Sequence, residues 1–253
     1  MRYMSENPCM LLVDNSNTFT KFALWDEAHA QPMEVRALPT LGLTADSIRA
    51  LVHGWQFHRV AISSVVAESR AALQEAFRAF PVCWVNASLA KEVFSQYAGT
   101  ATLGADRVAN VLAVAEYGRF PAVAVDMGTA ATFDVVGNGP RFLGGIIAPG
   151  QQMMADAMHR CTSLLPSVPQ LSARLGCIGG NTVEAMLSGA RLAFEGMVEL
   201  ALRSLAGELG TRPFVVATGG CAGYVAEHVQ LVDMVDEHLT LKGIAMAARR
   251  AGR

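Results

Sequence analysis

The chain has 253 residues, 52% of them hydrophobic and 17% charged, with a formal net charge of −2. That composition supplies the core of one large domain or two ordinary ones and argues against disorder. Apart from a short basic tail at 249–253 there is no block of like charge, so the electrostatic footprint of a nucleic-acid binder is missing.

In chain order, Met10-Leu11-Leu12-Val13, a turn of small and hydroxylated residues and a second apolar run predict a β-hairpin over 10–25. Val35-Arg36-Ala37-Leu38 extends it into a meander. Helical spacing of Ile48, Leu51 and Val52 marks a helix from Thr44, its N-cap, to Gly54. A buried strand follows at Arg59–Val65, an amphipathic helix at Ser69–Phe80 and a strand at Val82–Val85. Strand–helix–strand alternation of this kind predicts an α/β domain with a partly parallel sheet. Residues 104–117 read as a helix connecting two halves, and the second half restarts with a hairpin at 122–136 and an apolar run at Phe142–Ala148. The longest helix carries Val183, Met186, Ala190, Phe194, Val198, Leu202 and Leu205 on one face, with Asn181 and Glu184 as a capping pair. Phe214–Ala217 is a further strand.

The five cysteines are scattered, odd in number and without a C-x-x-C pair, which argues against a disulfide scaffold or structural zinc. No signal peptide and no bilayer-length apolar run is legible, so the expectation is a cytoplasmic protein with no membrane partner.

Two segments echo each other: Asp14 through Lys21 and Asp126 through Thr132 each place an acid at the end of an apolar run, before a small-residue turn. The repetition suggests a duplicated domain with a polyphosphate between two acid-bearing turns. The first turn offers a carboxylate, short polar side chains and the Lys21 amine, a set suited to a phosphate tail with a divalent cation. As structure alone, it is an Asx-type hairpin turn. In the second, Gly128 permits a tight turn while Thr129 and Thr132 present hydroxyls. Gly104-Ala105-Asp106-Arg107 opens a helix; it is either a simple N-cap followed by an exposed Arg, or a carboxylate base beside a guanidinium that holds an anion. The glycine-rich runs 144–150 and Thr218-Gly219-Gly220 suit close backbone approach to a nucleotide. P-loop, dinucleotide-binding, G-x-S-x-G and H-E-x-x-H patterns are all missing.

Taken in order, these segments resemble the type III pantothenate kinases, of the acetate and sugar kinase, Hsp70 and actin superfamily. The resemblance rests on Asp14 to Thr18, Gly104 to Arg107, Asp126 to Asp134, Gly144 to Gly150 with Leu165-Pro166, Asn181-Thr182 and Thr218 to Gly220. It implies an α/β fold of two ribonuclease-H-like (actin-like ATPase) domains, related by duplication and facing a central cleft, divided at 1–117 and 118–253. It further implies a homodimer with the substrate site near the subunit interface, and transfer of phosphate from MgATP to pantothenate, the first step towards coenzyme A. By the same resemblance, the turn of Asp14, Asn15, Ser16, Asn17, Thr18, Phe19, Thr20 and Lys21 binds phosphate, with Asp14 towards the metal, and Thr129 contacts ATP. Asp106 is the general base. Tyr97, Gly104, Ala105, Asp106, Arg107 and Thr182 bind pantothenate, Thr182 from the neighbouring subunit. Asp126 ligates an activating potassium or ammonium ion.

The chain departs from the family pattern at Ser16, where the family has Gly, and at Asn15, where it has an apolar residue. It also lacks Asn-Pro after Tyr97 and carries Cys221 where Asp is usual. A requirement for positive φ or for very close phosphate approach at position 16 would make Ser costly. The rival readings are a non-catalytic paralogue that binds nucleotide or pantothenate, and an ATPase or phosphatase of the same superfamily.

Overall fold

The structure, a computed structural model, describes residues 9–168 and 176–252. Arg253 of the basic tail lies outside them. In the first sheet, β1 (Met10–Asn15), β2 (Phe19–Asp26) and β3 (Gln31–Pro39) form an antiparallel meander. On the other side of β1, β4 (Arg59–Ser64) and β5 (Val82–Trp84) add in parallel, giving the order β3-β2-β1-β4-β5.

Alternation along the strands sorts the two faces of this sheet. Leu11 and Val13 of β1 and Val60 and Ile62 of β4 pack against Ile48 of helix α1 (Ala45–Leu51), Leu73 of α2 (Arg70–Ala76) and Phe77 just after it. Thr44 caps α1, its Oγ1 accepting from Ser47 N at 3.2 Å. The helix predicted over 69–80 is shorter: a 3-10 turn occupies 67–69, and the backbone leaves the helical region at Phe77. After the short α3 (Lys91–Phe94) comes α4 (Ala105–Glu116).

The expectation that α4 merely connects two halves is corrected. Residues 107–114 of α4 are all buried, and the helix packs on β4 and on the C-terminal helix within one unit. Thr240 of that C-terminal helix donates to Asn110 Oδ1 at 2.8 Å, a buried link.

The second sheet repeats the plan. Here β6 (Ala122–Met127), β7 (Ala130–Val136) and β8 (Phe142–Pro149) lie side by side. Beyond β6 come β9 (Phe214–Thr218) and β10 (Met234–Val235), paired in parallel. The order β8-β7-β6-β9-β10 matches the first sheet strand for strand. Two sheets of five strands with one shared order make ribonuclease-H-like units related by duplication. Val123, Val125 and Phe133 pack against Phe194, Val198 and Leu202 of the 28-residue helix α6 (Thr182–Leu209). Its N-cap is Asn181, whose Oδ1 accepts from Glu184 N at 3.0 Å. Glu184 returns not to the N-cap backbone but to Gly180 N, at 2.7 Å.

The sequence pattern did not reveal α5 (Gln151–Cys161), α7 (Ala222–His228), β10 or α8 (Leu239–Ala251). α5 fully buries only Gln151 and Ala155, with Met154 and Met158 partly buried beside them, a short apolar stripe. α8 buries eight of its thirteen residues, so its polar side, Lys242, Arg249 and Arg250, is narrow.

By contacts, the first unit comprises the chain up to Gly118 together with Pro140–Leu143 and the segment from His238 onwards. The second comprises Arg119–Gly139 and Gly144–Glu237. The expected division at 117/118 differs from this at Pro140–Leu143 and at the C-terminal end, where α8 packs on α4 and β1 of the first unit.

Candidate active site

In the first unit the phosphate-binding candidate is the three-residue turn Ser16-Asn17-Thr18 between β1 and β2. Ser16 N donates to Phe19 O at 3.3 Å, and Ser16 Oγ donates to the same carbonyl at 2.8 Å. Asp14 and Lys21 are cross-strand partners, so the acid and the amine share one sheet face. Asn17, Thr18 and Phe19 are exposed at the tip. Asn15 and Thr20 are paired on the opposite face and buried, at 1% and 0% exposure. Among the described residues the only non-glycine with positive φ is Ala30, so Ser16 sits in ordinary backbone, without the strain that would call for glycine. The buried place of Asn15 explains why an apolar residue also suits that position.

Helix α4 presents the second group. Its N-cap is Gly104, so Asp106 is not the cap but lies in the first turn, where its Oδ1 accepts from Arg107 N at 2.7 Å. Burial pushes the Asp106 carboxyl above the usual carboxylate range, against the Arg107 N–H and guanidinium, which pull it down. Arg107 is not an exposed first-turn residue either; it is buried, with its guanidinium 5.7 Å from the centre of the Phe142 ring. The Tyr97 and Phe94 rings meet the same Phe142 at 4.9 and 5.6 Å. Phe142 belongs by its contacts to the first unit, and it gathers Tyr97 and Arg107 onto one fully buried ring. The sequence marked it only as the start of a strand. Tyr97 also closes a groove lined by Asn86, Ser88, Lys91 and Thr100.

In the second unit the turn is the pair Gly128-Thr129, with Gly128 N donating to Ala130 O at 3.1 Å. Two glycines from elsewhere press against it. Gly150 N donates to Thr129 O at 3.0 Å, and a β-carbon at 150 would overlap the carbonyls of Gly128 and Thr129. Gly219 has φ +92°, and a β-carbon there would stand 2.6 Å from Asp126 Oδ1. Asp126 is paired with Thr132 and Thr218 on its neighbouring strands, an oxygen-rich surrounding suited to a hard cation. Cys221 contributes its backbone N to Met127 O at 3.3 Å, so replacing the usual Asp leaves that contact in place. Burial pushes the Cys221 thiol up, which keeps it neutral.

The first unit thus brings together Asp14 with Lys21, and Gly104 to Arg107 with Tyr97. Asp126 and Thr129 are neighbours in the second unit, whereas Thr182 opens α6 and is exposed. No group of three or more metal-ligating His, Cys, Asp or Glu occurs among the described residues. Mg²⁺ needs few protein ligands where water and nucleotide phosphates complete its shell, and Asp14 is the carboxylate of the first turn. No helix among the described residues is long and apolar enough to cross a membrane.

Two matching sheets, each with an acid-bearing turn after its first strand, define the sugar-kinase and actin-like ATPase class of fold. Solved structures of that class align along nearly the whole chain. A ROK family glucokinase from Streptomyces griseus has TM-score 0.56 at 14% identity, covering 96% of this chain and 99% of its own. A Campylobacter jejuni protein described as a Baf family transcriptional activator has TM-score 0.61 at 19% identity, covering 96% and 98%. At such identities the likeness is one of fold alone.

Within that class the chain belongs to the type III pantothenate kinase family, whose model matches residues 10–204. A type III pantothenate kinase of Akkermansia muciniphila is 40% identical over 239 residues, 94% of this chain and 97% of that protein.

Proposed function

We propose that this protein phosphorylates pantothenate with ATP, giving 4′-phosphopantothenate and ADP, with Asp106 as the general base. The observation that carries the reading is Asp106 itself. It is a carboxylate held by the first turn of α4, with its proton affinity raised by burial and beside a buried arginine. A base of raised pKa accepts the hydroxyl proton more readily, provided it is ionised at the working pH. The freed oxygen attacks the γ-phosphorus, the bond to the bridging oxygen of ADP breaks, and Asp106 retains the proton.

Arg107 serves the pantothenate carboxylate, and Tyr97 with Gly104 and Ala105 shapes the acceptor site. The Asp14–Lys21 turn and Thr129 take the nucleotide phosphates. Asp14 orients Mg²⁺, which neutralises charge on those phosphates when bound, and Asp126 holds K⁺ or NH₄⁺. Catalysis of this kind is mainly alignment and charge compensation.

A homodimer completes the reading. Along α6, Thr182, Ala185, Gly189, Leu192, Gly196 and Leu200 are exposed at intervals of three and four residues, with Leu200 at 66%. This apolar stripe suits a second copy and carries Thr182 with it, in keeping with a substrate contact made across subunits. Cytoplasmic location accords with a biosynthetic kinase whose five cysteines are all free.

Ordinary backbone at Ser16 supports the catalytic reading over a non-catalytic paralogue, since Ser costs no backbone strain there. The test is ADP release with MgATP, with and without pantothenate, in potassium, ammonium and sodium salts. Pantothenate-dependent release stimulated by potassium or ammonium is expected. No pantothenate-dependent turnover in any salt would overturn the proposal.

A further inference from the structure

We infer that Thr40, with Asn15, Thr20 and Ser64, forms a proton-ordered chain that positions the phosphate turn. The inference rests on reading that turn as the ATP site. Thr40 follows β3 and lies outside every motif of the sequence. Its Oγ1 donates to the Ser16 carbonyl at 2.7 Å, and its backbone N donates to Thr18 O at 3.0 Å. It therefore grips two of the three turn residues from behind.

The direction of the chain is fixed. The Ser16 carbonyl has no proton to give, so Thr40 spends its hydroxyl proton there and must accept from Thr20, 2.9 Å away. Thr20 Oγ1, having donated, accepts from Asn15 Nδ2 at 2.7 Å. The Asn15 amide oxygen is left to accept from Ser64 Oγ, also at 2.7 Å. Thr40 and Thr20 each spend their one hydroxyl proton once, while Ser64 Oγ also lies within reach of Val66 O at 3.3 Å.

Asn15, Thr20 and Thr40 are 1%, 0% and 6% exposed, so their side chains are consumed internally and do not reach a phosphate. They are positioning residues rather than ligands. The chain ends where β4 ends, and there Val65 N donates to Asn15 O at 3.1 Å. A buried network with every member satisfied is stiff, and losing one link leaves a buried partner unsatisfied. Side-chain hydrogen bonds thus do here what a glycine-tight turn does in the family pattern.

The experiment uses the full chain with Thr40→Val, Thr40→Ser and the milder Ser64→Ala. It measures the KM for MgATP, the KM for pantothenate, kcat, thermal midpoint, and the Kd for MgATP by calorimetry. Thr40→Val is expected to raise the KM and Kd for MgATP about tenfold, with the KM for pantothenate within about twofold. Thr40→Ser restores the MgATP values to within about threefold of wild type, and Ser64→Ala shifts them in the same direction by about twofold to fourfold. A merely structural role would lower the thermal midpoint while leaving both KM values in place, and that result would overturn the inference. Failure of Thr40→Ser to restore the MgATP values would do the same. If Thr40→Val does not fold, Ser64→Ala and Thr40→Ser decide: an unchanged Kd for MgATP in Ser64→Ala sinks the proposal. Absence of MgATP binding to wild type would instead sink the reading of the turn as the ATP site.

Discussion

The two acid-bearing turns occupy the same place in two sheets of the same strand order, yet they are held by opposite means. The first is held from behind by side chains: Ser16 closes onto Phe19, and Thr40 grips Ser16. The second is held by missing side chains, since Gly150 and Gly219 bring other backbone segments into contact with Gly128, Thr129 and Asp126. A turn built from hydroxyls can be tuned by single atoms. A turn built from glycines tolerates no added carbon.

The largest effect expected from breaking this contrast is in the second turn. Gly219→Ala places a β-carbon 2.6 Å from Asp126 Oδ1 and 2.7 Å from Met127 N, on backbone at φ +92°. A loss of about 3 kcal/mol is expected, read as a lowered urea midpoint. A drop under about 0.5 kcal/mol would mean that the turn is not close-packed. Next in size, Asp126→Asn removes a charge from the proposed cation site. Stimulation by potassium or ammonium should fall about tenfold, with the KM for pantothenate unchanged; retention of full stimulation would place the ion elsewhere. The smallest effect belongs to Ser16→Gly, which restores the residue usual in the family. Because Ser16 already has ordinary backbone, the KM for MgATP should change less than about threefold, with about 0.5–1 kcal/mol lost to chain entropy and the Oγ bond. A large gain in ATP affinity would show that the first turn does want glycine.

Most of the fold was legible because its strands are short apolar runs ended by turn residues, as at Met10–Val13 and Ala122–Val125. α5 and α8 escaped because the apolar stripe of the one is short, Met154, Ala155 and Met158, and the polar side of the other is narrow, Lys242, Arg249 and Arg250. The acids and glycines of the site were legible because their chemistry requires those residue types at fixed spacing. Phe142 and Thr40 were not, because each acts through distant partners: Phe142 by gathering Tyr97 and Arg107, and Thr40 by reaching back to Ser16, 24 residues earlier. Asn15 stood out as a departure, but only its partners Thr20 and Ser64 explain it.

Asp106 links stability to function through the sign of its pKa shift. Its folded-state pKa is raised, so between the unfolded value and the raised one the native state binds more protons, and stability falls as pH climbs through that window. Asp106→Asn should therefore melt higher than wild type at neutral pH, with the gain shrinking as pH falls towards the ordinary carboxylate pKa of 3.8. An equal or lower melting point at neutral pH would argue against a strained acid.

The most direct measurement is the pH dependence of pantothenate-dependent ADP release for wild type and Asp106→Asn side by side. Wild-type kcat/KM should rise along an acid limb centred above the usual carboxylate range. Asp106→Asn should lose about 10²–10⁴-fold in kcat together with that limb. Turnover within tenfold of wild type, with the acid limb intact, would contradict Asp106 as the base.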